Sequence, residues 1–311
     1  MVFFLLPLSE ILKNSVYNTT VERYLPNITN YVINGGDRVQ AIENDLAHDS
    51  SRRAITYLNH HYHKTRSMFR KGVDHPGWSD PKFWSVIEQE VKPYTFANFK
   101  RATNNLYLKV IGRTYLLSAI ITIICLVIAY PLAYYLTTLK GTASKVALFI
   151  ILIPLFSSFL SRTVSWILLL QPFNLMNTFT AVYIGSVYIA LPLSVLPIYL
   201  AMKNVDNNLI KVSIISGANK FQTFRYVYLP QTIKGVANSI ILTFMSVTGY
   251  YITPSLLGGS KGLFVTEQII NQVQYTLNWG LASALTVIML STSLMLFYVY
   301  YRINFKGDTN A

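Results

Sequence analysis

A chain of 311 residues that is 52% hydrophobic and only 13% charged, with a mean hydropathy of +0.37, is not composed as a soluble domain is. Long apolar runs with so little charge place much of it in lipid. The formal charge of +13 does not mark a nucleic-acid binder, because the basic residues fall in loops between apolar segments and not on one soluble face. The single Cys125 lies inside an apolar run, which excludes a disulfide framework and a cysteine metal site.

Residues 2–12 (VFFLLPLSEIL) are apolar but shorter than the roughly 20 residues a spanning helix needs. No basic region precedes them and no small-residue cleavage site follows, so they read as the second half of a first membrane helix and not as a signal peptide. An interfacial helix is the alternative. Residues 13–113 form the one sizeable polar region, with 15 Lys/Arg, nine Asp/Glu and all five histidines. They predict a mostly helical insertion outside the membrane, with a modest core and a turn-rich aromatic patch at PGWSDPKFW. The run His60-His61-Tyr62-His63 invites a metal reading. Adjacent histidines on a helix point in different directions, however, and no acidic or cysteine ligand stands four residues away, so a solvated helix is expected.

Five full membrane helices follow, at residues 115–136, 146–170, 178–201, 235–257 and 281–301. The fold class is an all-α membrane protein in three parts: a partial helix (1–12), an external insertion (13–113) and a transmembrane domain (114–311). Prolines inside the spans are tolerated where neighbouring helices or water satisfy the freed carbonyls. Lys140, Lys145, the five basic residues between Lys203 and Lys234, Arg302 and Lys306 lie on one side of the spans, and only Lys261 lies in the short loops of the other. Nine against one puts the 203–235 loop and the C-terminus in the cytoplasm and the insertion outside.

Within that loop, LIKVSIISGANKFQTFRYVYLPQTIKG (209–235) carries Lys211, Lys220, Arg225 and Lys234 and no acidic residue. Its apolar positions recur at helical spacing, interrupted at Gly217 and closed at Leu229-Pro230. That pattern predicts a helix, a glycine bend and a second helix stopped by proline, lying on the membrane surface as a docking platform.

Chemistry is sparse. There is no Walker-type phosphate loop and no nucleophile, base and acid arrangement, and Glu267 is the only acidic residue in the spans and outer loops beyond the N-terminal fragment. A membrane enzyme or an ion-coupled secondary transporter would need more embedded ionisable groups, or an inverted repeat, than are visible; these stand as the rival readings. Arg162 interrupts an apolar run at a cost of a few kcal/mol in lipid. It must face protein, water or the outer interface, lining a translocation path or bonding neighbouring carbonyls or Glu267. Pro254, followed by LLGG, is expected to break the fourth full span near its outer end, as backbone does where it lines a cavity. Trp166, Tyr188, Tyr250, Tyr251 and Thr253 are the candidate cargo contacts, with ordinary packing as the alternative.

The spacing of Gly217, Ala218, Phe224 and Leu229-Pro230 resembles the cytoplasmic EAA loop of binding-protein-dependent ABC importer permeases. PLAYYL (131–136), IPLFSSFLSRTVSWILLL (153–170), LPLSVLPIYLAMKNVD (191–206), TGYYITPSLLGG (248–259) and NWGLASALTVIML (278–290) resemble the spermidine/putrescine-type branch, in order and continuously from about Tyr115 to Arg302. The resemblance implies a type I importer permease fold in the bacterial inner membrane, without enzymatic activity. It implies coupling helices that dock on an ATPase through Lys211, Ser213, Gly217, Ala218, Phe221, Phe224, Leu229 and Pro230. The implied partners are two ATPase copies, a second permease and an external solute-binding protein. ATP would be bound by the ATPase, leaving this chain with no cofactor and no metal. Two departures stand out. The family's Glu-Ala-Ala occurs here as Lys211-Val212-Ser213, and Tyr250 occupies a position where polyamine-type relatives often carry an acid. A polyamine held on aromatic faces is the leading cargo, with opines, aminoethylphosphonate or other small organic ligands open.

Overall fold

A computed structural model describes residues 2–16, 20–48, 51–59, 62–91, 96–259 and 264–305. His60 and His61 of the histidine run, together with Lys261 and Lys306 of the charge count, lie outside them. All regular structure among the described residues is helical. The chain divides into two compact units, one of residues 1–109 and 265–292, the other of 110–264 and 293–311.

The first unit holds eight helices ahead of the first long span: α1 (Val2–Val16), α2 (Thr20–Tyr24), α3 (Pro26–Asn34), α4 (Arg38–Ala47), α5 (Ser51–Asn59), α6 (Thr65–Lys71), α7 (Pro81–Val91) and α8 (Ala97–Ala102). They enclose a core of Leu25, Ile28, Ile42, Tyr57, Leu58, Met68, Phe83 and Ile87. The turn-rich aromatic segment PGWSDPKFW contributes to this core. Phe83 is fully buried and meets Trp78 and Trp84 edge-on at 5.3 and 5.5 Å. The core is correspondingly larger than the modest one expected, because aromatic side chains bury far more area each than the polar composition suggests.

Buried charges in this unit are fully engaged. Asp45 accepts from the backbone N–H groups of Asn27 and Ile28 at 3.1 and 2.7 Å and from the Asn27 side chain at 2.8 Å, capping the otherwise unsatisfied start of α3. Glu90 accepts from the Tyr57 hydroxyl and pairs with Arg101 at 2.8 Å. Tyr62 donates to Asp80. Burial, and then that bond and the Asp80 charge, push the Tyr62 hydroxyl up to about 12, while the Tyr62 hydroxyl and the Lys82 N–H hold Asp80 below its ordinary value.

The remaining helices are α9 (Asn105–Thr138), α10 (Thr142–Phe156), α11 (Phe159–Leu170), α12 (Phe179–Lys203), α13 (Asn207–Ile215), α14 (Lys220–Thr223), α15 (Leu229–Thr248), α16 (Ile252–Gly258), α17 (Val265–Gln274) and α18 (Trp279–Phe305). In the second unit α12 and α15 form the central antiparallel pair. Gly235 allows their backbones to meet, since a Cβ there would fall 2.3 Å from that of Ala201. Ser194 and Ser239 join them by a hydrogen bond of 2.8 Å.

Three helices, α9, α12 and residues Trp279–Arg302 of α18, are long and apolar enough to cross a membrane. Two bent pairs raise the number to as many as five. The predicted span at 146–170 is one of these: α10 and α11 meet at 97°. Ser157 and Ser158 are extended there, and the Ser157 hydroxyl bonds the Pro154 carbonyl, offering the backbone an alternative to the helix. The other is α15 with α16, bent by 63°. Here the break precedes Pro254 and falls at residues 249–251, contrary to expectation. Pro254 sits instead in the first turn of α16, where a missing N–H costs no helical bond.

Candidate functional sites

The 203–235 loop is built from α13, a left-handed residue and α14. Asp206 caps α13 through the Asn208 N–H. Gly217 has φ of +86° and open space where a Cβ would be, so the requirement for glycine comes from the backbone alone. The Ala218 N–H closes the turn on the Ser213 carbonyl. Asn219 then caps α14 in a reciprocal box with Gln222. Ser213 bonds the Thr223 hydroxyl at 2.9 Å and ties the two helices together.

Pro230 does not stop the second helix. Phe224–Tyr228 form a single π-turn, with the Leu229 N–H reaching the Phe224 carbonyl, and the chain runs on into α15. Proline lacks the donor and its ring crowds the carbonyl four residues back, so the turn widens by one residue and the helix survives. The loop is therefore continuous with α15 from Lys220 to Thr248.

The predicted coupling residues divide into two sets. Lys211, Phe221 and the neighbouring Ile214 and Ile215 are exposed, Ile215 by 84% and Phe221 by 68%. Phe224, itself 37% exposed, packs edge-on against Tyr130 of α9 and stacks on Tyr228. The Tyr130 hydroxyl meets Thr232 at 3.1 Å, and Gln231 accepts from the Asp206 N–H while donating to the Val227 carbonyl. Ala218 and Leu229 are half-buried and Pro230 is exposed. The loop thus presents an apolar and basic tip and braces its other face on α9 and α15.

Elsewhere in the second unit, α11 packs beside α16 and α12. Thr163 and Thr253 share a hydrogen bond of 3.0 Å and are fully buried. Trp166 meets Tyr188 edge-on at 5.4 Å. Phe159 meets Tyr250 at 5.3 Å, and the Arg162 guanidinium lies 5.4 Å from the centre of the same Phe159 ring. Tyr251 sits half-buried at the entry to α16. Glu267 is buried in the first turn of α17, in the first unit.

Residues 125–306 match the family model of the binding-protein-dependent transport system inner membrane component. The spermidine/putrescine transport system permease protein PotB of Haemophilus influenzae is 32% identical over 229 residues, which covers 68% of this chain and 80% of the relative. This chain belongs to that permease family. It is a transport subunit of the inner membrane and not an enzyme. PotB of Escherichia coli is 27% identical over 226 residues, 67% of this chain and 82% of its own. The inner membrane ABC transporter permease protein YdcU of Escherichia coli is 28% identical over 223 residues, 62% and 71% of the two chains.

Several residues of the permease site were not singled out in the sequence. Phe159, which bridges Arg162 and Tyr250, and Thr163, which bridges to Thr253, carry no local signal, because their partners lie about 90 residues away. The Asn219 box was legible as an Asn followed three residues later by Gln.

Proposed function

We propose that this permease forms, with a second and different permease, the path of an importer driven by two ATPase copies and fed by an external solute-binding protein, and that its cargo is a polyamine. The observation that carries the reading is the 203–235 loop: an exposed tip of Ile214, Ile215 and Phe221 beside the left-handed Gly217, continuous through the π-turn with α15. Pressure on the tip passes to the membrane helices through the Ser213–Thr223 bond, the Phe224–Tyr130 contact and the Gln231 bridge. ATPase closure would in this way tilt α9 and α15 and alternate the access of the path. Lys211 then meets an acidic position in the ATPase groove, where relatives offer an acid to a base. The polyamine assignment draws on the relatives named for spermidine and putrescine, and on the aromatic faces of Trp166, Tyr188 and Tyr250, which suit organic cations.

The test is Gly217→Val in the assembled importer. A β-branched residue at positive φ is strained by about 1–2 kcal/mol or more, enough to rearrange the tip and too little to prevent membrane insertion. ATP-driven uptake of spermidine into proteoliposomes should vanish while the complex still assembles. Normal uptake by the variant would refute the coupling role.

A further inference from the structure

Arg162 occupies the first turn of α11, just past the 97° bend from α10. Its Nε and Nη1 are shut off from solvent and have no hydrogen-bond partner among the described residues. The polar side chains around it are engaged: Thr163 with the Phe159 carbonyl and Thr253, and Ser165 with the Ser161 carbonyl. What positions the guanidinium is the Phe159 ring, itself packed on Tyr250. Arg162 as a whole is half-buried, but two donors withdrawn from water without an acceptor are costly to a protein.

We infer that Arg162 is one half of a binding site and takes a carboxylate from outside this chain. The planar fork of donors matches a carboxylate, and the charge-assisted bonds would satisfy what the isolated subunit leaves open. Two sources share that chemistry: an Asp or Glu of the second permease, and a carboxylate on the cargo. The choice bears on specificity. With a polycationic cargo, a bare cation between Phe159 and Tyr250 would repel what it is meant to pass, so a subunit carboxylate must neutralise it. A cargo bearing its own carboxylate would dock there directly. The inference rests on the permease reading and names what that path recognises.

The experiment uses the full importer in proteoliposomes, with radiolabelled spermidine and ornithine as probes, a polyamine and a related amine that carries a carboxylate. Arg162→Gln and Arg162→Glu should lower uptake of at least one of the two probes by about 10- to 100-fold, the loss expected for a charge-assisted bond. Arg162→Lys, which keeps the charge without the fork, should recover part of it. Co-purification with the second permease checks that each variant assembles. If the carboxylate belongs to the second permease, one Asp→Arg or Glu→Arg exchange there restores spermidine uptake to Arg162→Glu. If it belongs to the cargo, no exchange restores uptake, and Arg162→Gln raises KM for ornithine while sparing spermidine. Uptake of both probes within about twofold of wild type in Arg162→Gln, or a loss that neither arm accounts for, overturns the inference. Absence of any ATP-driven uptake by the wild-type importer would count against the permease reading instead, so the two failures are separable.

Discussion

The two units treat buried polarity in opposite ways. In the first, Asp45 and Glu90 are enclosed among apolar side chains and each meets several donors. In the second, Ser118, Ser186, Thr243 and Arg162 bury polar atoms that find no partner among the described residues, against Thr29 alone in the first. The second also shows apolar side chains such as Phe149, Ile150 and Leu168 on its outside. A region whose charges are satisfied internally is finished as it folds. One with open donors and apolar faces is finished by lipid, by water and by other subunits.

That contrast can be broken by substitution. The largest effect on stability is expected at Asp45, whose removal orphans two backbone N–H groups and a side-chain amide in a dry core. Asp45→Ala should cost about 3 kcal/mol or more, seen as early protease cleavage within residues 13–113, whereas Gly217→Val and the Arg162 variants should leave that protection unchanged. If Asp45→Ala protects as well as wild type, the first unit is not the self-sufficient body described.

A smaller, pH-dependent effect belongs to Tyr62 and Asp80. Asp80 is held below its ordinary 3.8 chiefly by the Tyr62 hydroxyl, so its contribution is present above that value and is lost as pH falls through the lowered one. Tyr62 is raised from 10.0 to about 12, so its contribution is present below 10.0 and lost as pH rises toward 12. Tryptophan fluorescence should report loosening around Trp78 below about pH 4, and Asp80→Asn should remove that acid transition. A transition that persists in the variant would assign it to another carboxylate.

The smallest effect is expected at Ser213→Ala, which removes the Ser213–Thr223 bond at the price of about 1 kcal/mol. Uptake should fall partially and the KM for ATP should stay unchanged, because the tip loosens while the ATPase site is elsewhere. A loss as complete as that of Gly217→Val would mean that the bond, and not the glycine turn, carries the platform.

Much of this was readable in advance, for physical reasons that differ by residue. Membrane spans are legible because lipid imposes a local demand, about 20 apolar residues in a row. For their orientation the sequence offers an expectation, because basic residues count individually in short loops. Gly217 stood out because a left-handed turn selects glycine by its own backbone, with no neighbour involved. The helix breaks were read less well. Pro254 was expected to break its span, yet the chain bends at 249–251, and the 146–170 span, read as one helix, bends at the serine pair 157–158.

What no local pattern could supply is the set of contacts across large separations. Phe224 was read as a coupling residue, and only the packed chain shows that its ring also meets Tyr130, nearly a hundred residues earlier. The PGWSDPKFW segment reads locally as a turn-rich aromatic patch, and only the packed chain encloses Phe83 among helices from either side of it. Arg162 is marked by its type, but only the packed chain leaves its donors shielded and without an acceptor. Hydropathy, charge and backbone preference act on a residue and its immediate neighbours. Satisfaction of a buried group is a property of whatever folding brings opposite it, and for Arg162 that partner lies beyond this chain.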